Sequence, residues 1–176
     1  CTDAIEHGGS SERTSVPVGN SSLAKHIAPR EFKLEITSKC NAACAFCHQG
    51  FGEKQHHTAM QKADILRWIS EGANAGMKHL RLTGGEPTLV RDLTEICEHA
   101  AMSGMEVSIN TNGLAGPEVL DQIAPTVRRI KISMPSADPI LTDRLTGVHG
   151  SYDCKLRAIE HACEIGFLVD ILTVMI

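Results

Sequence analysis

Short stretches in which apolar and polar residues alternate recur along residues 31–176, separated by stretches with a helical spacing of apolar residues. Phe32, Leu34 and Ile36 alternate with polar neighbours, which is the period-two pattern of a half-buried β-strand. The same alternation, or a continuous apolar run, predicts four further strands over residues 79–83, 107–109, 130–134 and 168–176.

Apolar residues spaced three and four apart predict a helix between each pair of strands. The predicted helices are 58–76, begun by a capping box of Thr58 and Gln61; 91–102; a short helix with Pro117 in its first turn; and 151–166, capped by Ser151 and ended by Gly166. The last helix carries Leu156, Ile159 and Cys163 as its predicted apolar face, while Cys97 belongs to the apolar face of 91–102.

Five strands separated by four helices predict an α/β fold with a parallel sheet built of βα units. A complete eight-stranded barrel of this kind needs about 250 residues. We therefore expect the 176-residue chain to form a partial, truncated TIM-like barrel of about five βα units. Residues 31–176 make up this core, and the polar residues 1–30 are expected to be a flexible tail.

Composition excludes several classes of function. Hydrophobic residues make up 42% of the chain, charged residues 22%, and the net charge is -4. No basic patch favours nucleic acid, and the short run Arg128, Arg129 and Lys131 is expected to be a solvated face. No apolar run approaches the roughly 20 residues of a membrane span, and no apolar leader is present, so we expect a cytoplasmic location without a membrane partner.

Three cysteines follow the first strand in the pattern C-x3-C-x2-C, at Cys40, Cys44 and Cys47. A structural zinc site needs four ligands, which His48 would complete, although adjacent Cys47 and His48 rarely reach the same metal. The string C-x-x-C-H also matches a haem attachment site, and C-x-x-C a redox pair, but both leave Cys40 unexplained. A cubane iron–sulfur cluster explains all three thiols and leaves one iron open for a ligand.

Polar motifs also follow the next three strands, where parallel α/β folds place their active sites. They are Gly84-Gly85-Glu86-Pro87 after the second strand, Asn110-Thr111-Asn112-Gly113 after the third, and Ser133 at the end of the fourth. Each motif alone could be an ordinary turn. Their succession after four consecutive strands is far more specific than any one of them.

In this combination the sequence resembles the radical S-adenosylmethionine (SAM) superfamily over residues 31–176. The resemblance implies a [4Fe–4S] cluster on Cys40, Cys44 and Cys47, with SAM chelating the open iron. It assigns the other cofactor-binding positions to Gly84, Gly85 and Glu86 at the amino group of SAM, Phe46 near the adenine, Ser133 at the ribose or carboxylate, and Asn110, Thr111 and Asn112 along the same pocket. It further implies an external electron donor, reductive cleavage of SAM, and hydrogen abstraction from a small-molecule substrate by a 5′-deoxyadenosyl radical.

Within the superfamily the chain is similar to the GTP cyclases of molybdenum-cofactor biosynthesis, in residues 81–87, 143–147 and 173–174. That similarity implies substrate binding by Arg81 and by Lys33, which stands where the cyclases usually have arginine. Asp170 stands where they have lysine, and Ser133-Met134-Pro135 differs from their usual Ser-Leu-Asp or Ser-Val-Asp. A radical SAM enzyme for another nucleotide, a sugar or a natural-product intermediate is the alternative, and a zinc-binding module without activity is the alternative of another class.

Overall fold

The computed structural model describes residues 30–48 and 58–174, where five parallel β-strands alternate with helices. The strands are β1 (Glu31–Thr37), β2 (His79–Gly84), β3 (Glu106–Thr111), β4 (Val127–Ser133) and β5 (Leu168–Leu172). The α-helices are α1 (Lys62–Asn74), α2 (Leu93–Met102), α3 (Pro117–Ile123), α4 (Pro139–Thr146) and α5 (Ser151–Glu164), and a 3-10 helix covers Pro87–Leu89. The predicted tail, 1–30, lies outside the described residues except for Arg30.

The strands pair in the order β1-β2-β3-β4-β5, and every pair is parallel. Successive βα units produce this order because each crossover returns the chain to the edge of the sheet where the previous strand began. The predicted α/β fold with five parallel strands is confirmed. The carboxyl ends of all five strands lie at one edge, which we call the carboxyl edge.

The two faces of the sheet differ in polarity. Leu82, Ile109 and Ile132 are fully buried in one core with the helices, as the alternation in the sequence predicts. Burial of each such side chain contributes about 1.5–3 kcal/mol to folding. The residues between them lie on the other face, which we call the open face; Arg81 and Lys131 are among them, and both are partly exposed.

Two predicted helix starts are wrong. Helix α1 has Gln61 as its N-cap residue, and Thr58 lies three residues before that cap. The Thr58 N–H donates to Ser38 Oγ at 2.8 Å, and the Thr58 carbonyl accepts from the Ser38 N–H at 2.8 Å. The capping-box pattern at Thr58 therefore serves a contact with the segment after β1. Ser151 is the first helical residue of α5 rather than its cap, which is Gly150 with a φ of 73°.

Helix α4 is absent from the predicted elements, although its start carries a recognisable signal. Asp138 caps it by accepting from the Leu141 N–H at 2.8 Å, and Pro139 occupies the first turn. Its apolar pattern is weak because Ile140 is 82% exposed and the helix buries Thr142 and Thr146 instead. Polar burial of this kind is invisible to a search for hydrophobic periodicity.

The buried face of α5 also differs from the predicted one. It consists of Ser151, Lys155, Ala158 and Ala162, whereas Leu156 is 38% exposed and Cys163 is exposed. Cys97 on α2 is fully buried, as predicted. The error in α5 is a rotation of about one residue, and it arises because a lysine occupies the centre of the buried face.

Smaller differences from the predicted elements concern the ends of two strands. Strand β4 ends at Ser133 and excludes Met134. Strand β5 is predicted to extend over residues 168–176 but ends at Leu172; residues 175 and 176 lie outside the described part of the chain. No helix in residues 30–48 or 58–174 is long and apolar enough to cross a bilayer.

Candidate active site

The cysteine loop begins directly after β1 and is braced by the end of α4. The N–H groups of Ala43 and Ala45 donate to the carbonyls of Thr146 and Leu145 at 2.9 and 2.8 Å. These carbonyls are among those that a helix end leaves without an internal partner. Cys40 and Cys44 are partly buried and Cys47 is exposed. The segment 143–147, noted in the sequence as a motif, thus holds the backbone between the cysteines.

The two glycines after β2 allow the chain to pass close to the residues before Cys40. A Cβ on Gly84, which has a φ of 136°, would overlap the carbonyl oxygen of Thr37, and a Cβ on Gly85 would lie 2.6 Å from the Ser38 carbonyl oxygen. The Gly85 N–H donates to the Thr37 carbonyl at 2.6 Å and the Glu86 N–H to the Lys39 carbonyl at 2.8 Å. Glycine is required here because only a bare backbone fits this approach.

The Glu86 carboxylate is fully buried and binds groups from two loops. Its Oε1 accepts from the Thr88 N–H at 3.1 Å, the Thr88 hydroxyl at 2.6 Å and the Thr111 hydroxyl at 2.8 Å. Its Oε2 accepts from the Asn112 N–H at 2.6 Å. A buried carboxylate with four such donors is strongly held, and it fixes the end of β2 to the end of β3.

Asn112 connects this carboxylate to the cysteine loop. Its side-chain Nδ2 donates to Asn41 Oδ1 at 2.7 Å and to Cys40 Sγ at 3.6 Å, while its Oδ1 accepts from the Leu114 N–H at 2.9 Å. The ends of β1, β2 and β3 are therefore joined in one chain of hydrogen bonds. The residues predicted from the Gly-Gly-Glu and Thr-Asn-Gly motifs come together with Cys40 at the carboxyl edge.

Lys155 of α5 is a member of the site that the sequence did not reveal. Its side chain is only 1% exposed, and its ammonium donates to the backbone carbonyl of Asn112. Its stem packs on the same turn, since a Cβ on Gly113 would lie 3.4 Å from Lys155 Cγ. A helix that buries a cation toward the strand ends gives no signal in a hydrophobic pattern.

Burial shifts the acid–base behaviour of two facing groups. It raises the pKa of the Cys44 thiol, against the opposing effect of the Lys155 ammonium, and the thiols of Cys40 and Cys47 add to the rise. Burial also lowers the pKa of Lys155, and Cys44, Glu86 and Cys40 oppose that fall. Each shift favours the neutral form, as a poorly solvated environment does. The ammonium therefore lies among groups that can carry negative charge.

The family of the chain follows from a comparison with known proteins. The model of the radical SAM superfamily matches residues 34–176, which include the cysteine loop, the carboxyl edge and all helices described above. The chain belongs to the radical SAM superfamily.

Relatives within the superfamily include proteins named as cyclases. A probable GTP 3',8-cyclase of Methanopyrus kandleri is 34% identical over 138 residues, covering 78% of this chain and 44% of that protein. A GTP 3',8-cyclase of Haemophilus influenzae is 30% identical over 163 residues, covering 87% of this chain and 48% of that protein. The chain therefore spans about half the length of the curated relatives it matches.

Solved structures support the same fold. The crystal structure of Streptococcus suis SuiB bound to S-adenosylmethionine superimposes with a TM-score of 0.68 at 20% identity, covering 81% of this chain and 33% of SuiB. This likeness confirms that the open parallel sheet is a barrel-like radical SAM fold.

The donor set of this chain fits the cluster that the superfamily implies. Three thiols share one loop, an amide N–H donates to the first of them, and a buried cation lies beside two. Hydrogen bonds to cysteine sulfur and nearby charge are features that tune iron–sulfur clusters. The thiols of a cubane bind different irons, so they need not converge on one point.

A single-ion zinc centre finds less support. Among residues 30–48 and 58–174, no three His, Cys, Asp or Glu side chains are placed to hold one metal ion. His48, the fourth ligand of the zinc alternative, is exposed. Tetrahedral zinc requires four ligands at one centre, and such a centre is not preformed in the described residues.

The remaining predicted residues lie along the carboxyl edge or the open face. Phe46 and Ser133 are partly exposed at the edge, and Thr111 is buried beside Glu86. Asn110 precedes them on the open face. Within the described part of the chain, Asn110 Oδ1 and Arg81 Nε are buried atoms without a hydrogen-bond partner, so both could serve a ligand on this face.

The basic residues of the open face are paired with carboxylates. Arg81 Nη2 lies 2.5 Å from Glu31 Oε2, and Lys33 Nζ lies 2.9 Å from Glu35 Oε1. The parallel register places Lys33 opposite Arg81. The two residues predicted to bind substrate are therefore neighbours on one face.

The expected solvated basic run is only partly solvated. Arg128 is exposed, but Arg129 donates to both carboxylate oxygens of Asp170 at 2.9 and 3.1 Å, and Lys131 lies 3.9 Å from the same carboxylate. Alternation along β4 explains the split, because it turns Arg129 and Lys131 to the open face. Asp170 thus neutralises part of the positive charge of that face.

Proposed function

We propose that the chain is the cofactor-binding part of a radical SAM enzyme, with a [4Fe–4S] cluster held by Cys40, Cys44 and Cys47. The observation that supports this most directly is the hydrogen-bonded path from Glu86 through Asn112 to Cys40. Such a cluster, when bound, would supply the electron that splits the sulfonium of SAM at its open iron. The external electron donor would be a separate molecule.

The chain's own residues would position SAM. The backbone of Gly84 and Gly85 lies against residues 37–39, directly before the cysteine loop, and the amino end of the methionine would bind beside it. The Glu86 carboxylate, already an acceptor of four hydrogen bonds, would shape this loop as well as face the amino group. The other expected contacts are those of Phe46, Asn110, Thr111, Asn112 and Ser133.

A nucleotide is the substrate class that we propose first, with cyclisation of GTP as the leading reaction. The names of the relatives support it, as do the adjacent positions of Lys33 and Arg81 on neighbouring strands of the open face. Asp170 favours the alternative, in which the substrate is a different nucleotide, a sugar or a natural-product intermediate. Its carboxylate accepts two hydrogen bonds from Arg129. A carboxylate at this place opposes a triphosphate more than a weakly charged molecule.

Anaerobic reconstitution with iron and sulfide tests the cofactor assignment. We expect the chain to bind iron and sulfide, to show iron–sulfur absorbance, and to release 5′-deoxyadenosine from SAM under a strong reductant. The C44A variant should lose the cluster, whereas C163A, which changes an exposed thiol on α5, should retain it. Stoichiometric zinc without iron–sulfur absorbance or SAM cleavage would support the zinc-binding module instead.

A further inference from the structure

Lys155 is a buried cation without a carboxylate partner. Its side chain is 1% exposed, and within the described residues no carboxylate oxygen lies within 4.0 Å of its ammonium. The hydrogen bond that it makes goes to a neutral group, the Asn112 carbonyl. Removing an ammonium from water is costly unless an opposite charge is close, so this position calls for an anion.

The groups that face Lys155 identify where that anion would lie. Asn112, whose carbonyl accepts from Lys155, also donates through its side chain to Cys40 Sγ at 3.6 Å. The groups that act on the ammonium electrostatically are, in decreasing order, Cys44, Glu86, Cys40 and Cys154. Glu86 is already bound by four donors, and one of them is the Asn112 N–H, so Asn112 separates the carboxylate from the ammonium. The first two thiols belong to the cysteine loop. The charge of Lys155 is therefore balanced in part by Glu86 across Asn112, and its other charged neighbours lie on the cluster-binding side of the site.

Three thiolates would supply further negative charge beside Lys155. A cubane with three cysteine thiolates is an anion in its oxidised state, and reduction adds one more negative charge. A fixed cation in a poorly solvated position stabilises the more negative state more strongly. The same cation would have little to stabilise if the thiols stayed protonated.

We propose that Lys155 is the counter-charge of the cluster-binding thiolates and a positioning residue that raises the reduction potential of the bound cluster. The inference rests on the proposed function, because it requires a cluster on Cys40, Cys44 and Cys47. Its position also makes Lys155 a tether between α5 and the turn that carries Asn112, so its charge and its hydrogen bond must be tested separately.

Three variants separate these roles. K155M removes the charge and the donor from a side chain of similar length, and K155Q removes the charge but keeps an N–H donor. K62M removes a partly exposed lysine of α1 that pairs with Glu95 at 2.7 Å, and serves as the control. Each protein is loaded with cluster and titrated with reductant, and the reduced cluster is followed by electron paramagnetic resonance.

We expect K155M and K155Q to lower the reduced-to-oxidised ratio at a fixed potential about tenfold, which is about 59 mV for a one-electron couple. K62M should match the wild type. An unchanged potential in K155M would overturn the proposal, and so would a K155Q protein with the wild-type potential, since the hydrogen bond alone would then suffice.

Thermal melting with and without the cluster provides a second readout. We expect cluster loading to raise the melting temperature less in K155M and K155Q than in the wild type, because the cluster has lost its counter-charge. Equal gains on loading in all proteins would mean that Lys155 is merely structural and would overturn the proposal. If K155M does not fold, K155Q carries both measurements. A wild-type chain that takes up no cluster would refute the proposed function itself, whereas a loaded chain indifferent to Lys155 would refute only this inference.

Discussion

Replacement of Glu86 by glutamine tests whether the buried carboxylate holds the site together. The glutamine amide places an NH2 group either against the Asn112 N–H or against the donors from Thr88 and Thr111. At least one hydrogen bond to the charged group becomes a contact between two donors. A buried hydrogen bond to a charged group is worth about 1.5–3 kcal/mol, and an unsatisfied buried donor adds to the loss. We therefore expect E86Q to lower the free energy of unfolding by about 3 kcal/mol.

Urea unfolding of the metal-free chain, followed by circular dichroism, measures this loss without any contribution from a cofactor. For a domain of this size, about 3 kcal/mol corresponds to a fall in melting temperature of roughly 6–12 °C. E160Q, which changes an exposed glutamate of α5, is the control and should remain within about 0.5 kcal/mol of the wild type. A loss of less than 0.5 kcal/mol in E86Q would refute the reasoning, because the four contacts would then be dispensable.

The remaining predictions concern the glycine turn, acid stability and the open face. G84A should lower the free energy of unfolding in urea by more than about 4 kcal/mol, because its Cβ would overlap the Thr37 carbonyl. Gly76 has a φ of 90° but open space around its Cβ position, so G76A should lower it only by the cost of backbone strain, about 1–3 kcal/mol. Equal losses in the two variants would show that steric overlap at Gly84 is not the cause. Burial alone would raise the pKa of Asp143, but hydrogen bonds from three backbone N–H groups (Gly150, Ser151 and Tyr152) and from the Ser151 hydroxyl outweigh it and hold that pKa below its ordinary value of 3.8. The stability that the ionised Asp143 carboxylate contributes should be complete above pH 3.8 and should disappear as the pH falls through the lowered pKa. In urea unfolding, the difference in free energy of unfolding between wild type and D143N should therefore become smaller at low pH. A difference that does not change with pH would contradict the role of the Asp143 carboxylate. D170N removes the carboxylate that pairs with Arg129 and should raise the affinity for GTP about two- to fivefold in calorimetry, consistent with about 1 kcal/mol for an exposed ion pair. The affinity for guanosine, which lacks the phosphates, should not change. An equal change for both ligands would show that charge is not the cause.

Most of the sheet could be predicted because its strands follow a simple physical rule. Residues such as Leu82 and Ile109 alternate with polar neighbours, since one face of the sheet packs against helices and the other does not. The parallel order follows from the intervening helices. The residues of the carboxyl edge could also be predicted from the sequence. Cys40, Glu86 and Asn112 each come shortly after a strand, and parallel strands bring their carboxyl ends together.

The parts that could not be predicted are those where polar residues are buried. Helix α4 buries Thr142 and Thr146, and α5 buries Ser151 and Lys155, so hydrophobic periodicity gives no signal for the first and the wrong face for the second. Asp143 joins these elements by accepting from the Ser151 hydroxyl at 2.9 Å, a contact between residues eight positions apart that depends on the turn between the helices. Tertiary hydrogen bonds of this kind have no periodic counterpart in the sequence.

The two sides of the fold have different physical purposes. Apolar contacts between the sheet and the helices supply stability, whereas the carboxyl edge places Glu86 and Lys155, two fully buried charged groups, on either side of Asn112. Core packing does not require either charge, and buried polar groups are costly when only part of their network is satisfied. They persist together because Asn112 satisfies one through its N–H and the other through its carbonyl, and at the same time directs its side chain to Cys40. This network joins Cys40 to the ends of β2 and β3 and places a cation near the cysteine loop, as the proposed anionic cluster would require.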